Sequence, residues 1–101
     1  MKIFDNKETD YLIKALINIE NEEQCKAILE DVMTTKEILD ISQRIHVASL
    51  LKEKVVYSKI SSLTGASAAT ISRVNRSLQY GCDGYDKIFK RLKENDEDEV
   101  L

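Results

Sequence analysis

The sequence predicts an all-α fold of six helices, and three observations carry that prediction. Proline is absent and glycine occurs only at positions 65, 81 and 84, so few residues interrupt a helix. Apolar residues recur at spacings of three and four along most of the 101 residues, as amphipathic helices require. Strand-like alternation is not sustained anywhere. Val55-Val56-Tyr57 is the one β-branched cluster, and it is too short for a sheet.

The elements follow in order. Helix 1 is expected from Asn6 to Ile19, opened by the capping pair Asp5 and Glu8, with Tyr11, Leu12, Ala15, Leu16 and Ile19 as its apolar stripe. Helix 2 begins after Asn21, with Gln24 at the capping-box position and Cys25, Ile28, Leu29 and Val32 on one face. Helix 3 opens at Thr34 with Glu37 and runs through Ile38, Ile41, Ile45, Ala48 and Leu51 to Lys54. Helices 4 and 5 lie within residues 57–79. Gly81 and Gly84 then break the chain, and Asp83 or Gly84 leads into helix 6, whose apolar face is Tyr85, Ile88, Phe89 and Leu92. One helical domain is expected over residues 1–92, and residues 93–101, rich in acidic side chains, are expected to form a solvated, frayed tail.

Charge is distributed unevenly along the chain. The net charge is −3, but residues 1–53 carry seven basic and eleven acidic side chains, whereas residues 54–90 carry six basic and two acidic ones. The middle of the chain is its only basic segment, and from Lys54 to Arg76 it has no carboxylate at all. Basic character confined to one region suits contact with a polyanion, while an acidic body limits indiscriminate phosphate binding.

That basic segment contains YSKISSLTGASAATISRVNR, residues 57–76, which has the pattern of a helix-turn-helix. Ile60 and Leu63 share a face of the first helix, and small Ser61 allows the second helix to cross closely. Gly65 stands where the chain must leave the first helix through a left-handed residue. Ser67 is the expected N-cap of the second helix, accepting from an amide near Ala69 or Thr70. Ile71, Val74 and Leu78 form the buried stripe of that helix, which turns Ala69, Ser72, Arg73 and Arg76 outward. In a DNA major groove, alanine and the threonine methyl meet thymine methyls, hydroxyls reach base edges, and arginine pairs with guanine or phosphate. The residues expected at DNA are therefore Lys59, Ser67, Ala68, Ala69, Thr70, Ser72, Arg73 and Arg76. A helical module binding protein through the same hairpin is the alternative, but such a face would not need to be free of acidic residues.

No catalytic constellation, cofactor or metal site is expected. His46, the single histidine, sits mid-helix with no nucleophile placed near it and is expected to be a partly buried structural residue. Cys25 and Cys82 lack metal-ligand spacing, and there is no glycine-rich phosphate loop. No secretory or membrane-spanning run is evident, so a cytoplasmic protein with reduced thiols and no membrane partner is expected.

Several of these residues also carry a resemblance. Thr34-Thr35-Lys36-Glu37, Gln43-Arg44-Ile45, Leu50-Leu51 and Thr64-Gly65-Ala66-Ser67-Ala68-Ala69-Thr70-Ile71-Ser72-Arg73 together resemble the tryptophan-repressor superfamily. Asn75-Arg76-Ser77-Leu78, Tyr80-Gly81 and Asp83-Gly84-Tyr85 resemble its YerC/YecD branch in particular. The resemblance spans residues 5–92. It implies an interlocked homodimer in which the partner completes the apolar faces of helices 1 and 2, presenting two helix-turn-helix heads to an inverted repeat in duplex DNA. In the tryptophan-responsive members two arginines sandwich the indole, and Arg44 and Arg73 match them. The turn at Lys54 to Val56 is one residue shorter than in those members, and Asp40 is placed to pair with Arg44 instead. The larger departure is Val74, where tryptophan-responsive members have glycine. Its side chain is expected to crowd the pocket formed with Arg44 and Arg73, so that tryptophan is excluded and the effector is another molecule or none.

Overall fold

The computed structural model describes residues 2–95, and all of its regular structure is helical. A 3-10 turn (Lys2–Phe4) precedes α1 (Lys7–Ile17), α2 (Glu22–Val32), α3 (Thr35–Lys52), α4 (Tyr57–Thr64), α5 (Ala68–Tyr80) and α6 (Gly84–Glu94). The six helices fall where periodicity placed them, and α6 continues two residues beyond the expected domain edge at 92. The acidic run from 96 onward lies outside the described residues. The chain divides into two compact units, Met1–Thr35 and Lys36–Leu101.

In the first unit the caps set the helices. α1 is capped by Asn6, whose Oδ1 accepts from the Thr9 amide at 2.9 Å. The expected Asp5–Glu8 pair is thus displaced by one residue. Asp5 is still part of the preceding turn, its amide donating to the Lys2 carbonyl at 3.0 Å, so it cannot open the helix. α1 also stops short of Ile19, because Asn18 takes the C-cap and its Nδ2 donates to the Lys14 carbonyl at 2.7 Å. α2 begins as expected: Asn21 Oδ1 accepts from the Gln24 amide at 2.9 Å, and Gln24 Oε1 accepts from the Glu20 amide at 3.0 Å. Neither helix buries a single side chain. Tyr11, Leu12, Leu16 and Ile17 of α1 and Val32 of α2 all remain exposed.

The second unit closes a core. Val47 and Ala48 from α3, Ile60 from α4, Ala66 from the turn, and Ile71 and Val74 from α5 are each 2% exposed or less. Leu50, Leu51, Val55, Leu78, Tyr85 and Phe89 pack around them. Tyr85 and Phe89, one helical turn apart on α6, stack with ring centroids 6.1 Å apart. On the surface Lys52 Nζ reaches Asp86 at 2.8 Å, linking the end of α3 to α6. Both side chains are well solvated, so this pair orients more than it stabilises.

α3 ends two residues before the expected Lys54. Lys54 adopts the left-handed conformation, φ 63°, and its amide and that of Val55 fold back onto the carbonyls of Leu51 and Leu50 at 3.0 and 3.1 Å. This is the hydrogen-bond pattern of a Schellman end. A lysine occupies the position that glycine fills with least strain, which is why the boundary was not visible as a glycine in the sequence.

Candidate nucleic-acid interface

The helix-turn-helix is held by side chains that bind the backbone of its own turn. Gly65 has φ 74°, the left-handed conformation expected of it, and its amide donates to the Ser61 carbonyl at 2.8 Å. Thr64 Oγ1 donates to the Ile60 carbonyl at 2.7 Å and accepts from the Ala66 amide at 3.1 Å. Ser61 Oγ donates to the Ala66 carbonyl at 2.8 Å. From α3, Gln43 Nε2 donates to the Thr64 carbonyl at 3.1 Å. Backbone groups in a turn that closes over a core would be costly if unpaired, and here side chains pair them. The angle between α4 and α5 is fixed as a result.

Sequence reasoning missed three of these braces. It treated Ser61 only as a small residue at a crossing, and gave Thr64 and Gln43 no structural task. A hydroxyl residue just before a turn glycine is a usable local signal for Thr64. Gln43 had none, because its partner is 21 residues away.

α5 begins as expected, with Ser67 Oγ accepting from the Thr70 amide at 3.1 Å. The same hydroxyl donates to Thr70 Oγ1 at 3.1 Å. Ile71 and Val74 point into the core and Leu78 follows them half-buried. Of the residues expected at DNA, Lys59 on α4 and Ser67, Ala68, Ala69, Ser72, Arg73 and Arg76 at or on α5 are exposed, while Thr70 is half-buried. No acidic residue lies in the first turn of α5, so the partial positive charge of its N-terminus is not offset locally. Among the described residues Lys59, Arg73 and Arg76 make no ion pair. Their charges face solvent uncompensated.

The residues expected around a ligand are disposed differently. Arg44 is half-buried on α3 and Arg73 exposed on α5, while the Val74 side chain is packed into the core. The expected Asp40–Arg44 pair is not formed. Asp40 Oδ2 instead takes Lys36 Nζ at 2.7 Å, the residue one turn earlier on the same helix. Lys36 and Arg44 both stand four residues from Asp40, and the lysine is the one that takes its carboxylate.

Elsewhere, His46 is half-buried, as expected, and its carbonyl accepts from Ser49 Oγ at 2.7 Å. Cys25 and Cys82 are free thiols. Among the described residues no group of three or more His, Cys, Asp or Glu is placed to hold a metal ion, and no helix is long and apolar enough to cross a membrane.

Comparison with known proteins places this geometry. Residues 7–93 match the model of the Trp repressor protein family. The uncharacterized protein YerC of Bacillus subtilis (strain 168) is 42% identical over 90 residues, covering 89% of this chain and 86% of YerC. The crystal structure of a TrpR-like protein from Eubacterium eligens ATCC 27750 superposes with a TM-score of 0.89 at 44% identity, covering 92% of this chain and 96% of that one. A solved structure from Staphylococcus aureus gives a TM-score of 0.86 at 41% identity, covering 92% and 95% of the two chains.

Proposed function

The chain belongs to the Trp repressor protein family, and on that basis we propose that it is a sequence-specific, DNA-binding transcriptional regulator acting in the cytoplasm as a homodimer. The observation that carries this reading is the rigid hairpin of α4 and α5. Its outward face combines small residues, hydroxyls and unpaired cations with no carboxylate from Lys54 to Arg76. In this reading α5 enters the major groove by its N-terminal end. Ala69, Thr70 and Ser72 meet base edges, while Lys59, Arg73 and Arg76 supply phosphate or guanine contacts. Ser67 divides its hydroxyl between the Thr70 amide and the Thr70 hydroxyl, so its part is to hold the helix start in place.

The exposed stripe of α1 supports the homodimer. Leaving Tyr11, Leu12 and Leu16 of that stripe exposed is unfavourable for a free chain, and covering such a patch with a second copy removes the cost. Two heads separated by one DNA turn, about 34 Å, select an inverted repeat. Tryptophan is not the effector in this reading, because Val74 fills with core the place where an indole would need space.

Mutating the hairpin tests the assignment. Thr70→Ala and Ser72→Ala are expected to relax base preference, whereas Lys59→Ala is expected to weaken binding to all sequences alike and lower the salt slope by about one unit for each head. Identical behaviour of the three variants would show that the roles are misassigned.

A further inference from the structure

The outward face of α5 does not end at Arg76. At about 100° per residue, Tyr80 falls in line with Ala69, Arg73 and Arg76. It is also the most exposed large apolar side chain among the described residues, at 82%. No hydrogen bond or ring contact holds it among those residues. Beyond it, the Gly81 amide caps the helix by donating to the Ser77 carbonyl at 2.9 Å. A Cβ on Gly81 would lie 2.4 Å from that carbonyl oxygen, so the next position offers no side chain to shield the ring.

Helix geometry says where such a residue stands. With a rise of about 1.5 Å per residue, Tyr80 lies about 16 Å along the axis from Ala69, and the major groove is only about 12 Å wide. A helix that seats Ala69 and Ser72 at base edges therefore carries Tyr80 to the rim, where the phosphates are. We propose that Tyr80 is a DNA-backbone contact, its phenol hydroxyl donating to a phosphate oxygen and its ring lying against the adjoining sugar, with Arg76 one turn nearer the groove. The proposal rests on α5 being the recognition helix. A phenol is a neutral, directional donor on a stiff side chain, so it fixes the tilt of the helix on the duplex. Unlike a lysine or arginine, it releases no counterion.

That difference supplies the test. Binding of the full chain to a random-sequence duplex and to an inverted repeat obtained by selection is measured over a range of salt concentrations. Tyr80→Phe keeps the ring and the helix. It is expected to lower affinity for both duplexes equally, by roughly tenfold for each of the two heads, the size of one hydrogen bond to a charged acceptor. The slope of log affinity against log salt should stay unchanged, whereas Arg76→Ala is expected to lower that slope by about one for each of the two heads. Wild-type affinity in Tyr80→Phe overturns the proposal. So does a Tyr80→Ala variant that becomes monomeric while Tyr80→Phe binds normally, since the ring would then belong to a subunit interface. If the wild-type chain binds no duplex, the DNA reading of α5 fails and this contact with it. If it binds and Tyr80→Phe is silent, this contact alone fails.

Discussion

The helices of Met1–Thr35 and those of Lys36–Leu101 are both amphipathic, but they use their apolar faces differently. In the second unit, α3, α4 and α5 converge on a core whose six residues are almost completely withdrawn from water. In the first, α1 and α2 are well capped but withdraw no side chain completely from water, Cys25, Ile28 and Leu29 of α2 being half-buried. Caps decide where a helix starts, but most of a helix's stability in a protein comes from packing its apolar face. The second unit therefore contains its own stabilising contacts, whereas α1 and α2 leave apolar side chains exposed. We propose that a second copy covers them.

The sharpest way to break this contrast is to attack each unit separately. Ile60→Ala removes a fully buried side chain and is expected to cost about 2–5 kcal/mol, seen as a lower denaturation midpoint. Leu16→Glu, in the apolar stripe of α1, is expected to leave the second unit folded while converting the proposed dimer to monomer in sedimentation. If Leu16→Glu instead melted the helix-turn-helix, the two units would not be separable in this way.

Val74 joins the core to the ligand question. Val74→Gly removes a buried side chain worth about 1.5–3 kcal/mol and adds a helix penalty of about a few tenths of a kcal/mol relative to valine, so a clear loss of thermal stability is expected. In calorimetry, tryptophan is expected to bind the wild type not at all and to bind, if anywhere, only the glycine variant. Binding by the wild type at micromolar tryptophan would show that the valine does not close the pocket.

Smaller effects test the turns. Gly65→Ala is expected to cost about 1–2 kcal/mol, because a side chain in the left-handed conformation is strained. Nothing lies within 4 Å of the added Cβ, so contact with neighbours contributes little and the cost is conformational. Lys54→Gly is expected to act in the opposite sense, raising stability by up to about 1 kcal/mol by relieving the same kind of strain at the end of α3. Equilibrium unfolding measures both, and a stabilised Gly65→Ala would contradict the turn as described.

The sequence made legible what depends on neighbours in the chain. The stripe of Ile71, Val74 and Leu78, the cap at Ser67 and the turn at Gly65 each follow from residues within four positions of one another, and each stands where it was expected. Boundaries were less legible. Asp5 and Asn6 are both good caps, and only the 3-10 turn involving Asp5 decides between them. Lys54 ends α3 in a conformation that its residue type disfavours. Least visible was Gln43, whose bond to the Thr64 carbonyl depends on α3 and α4 being brought together by the core. The Asp40–Arg44 pair was misjudged because spacing alone allows Asp40 either arm, and Lys36 proved to be the one that reaches it.

The most direct measurement is in vitro selection from a random duplex library with the purified full chain, run alongside sedimentation of the selected complex. Enrichment of an inverted repeat with half-sites about one helical turn apart, bound by two copies of the chain, is the expected result. A sedimentation profile of monomer alone at micromolar concentration, or a library that emerges with no enriched motif, would contradict it.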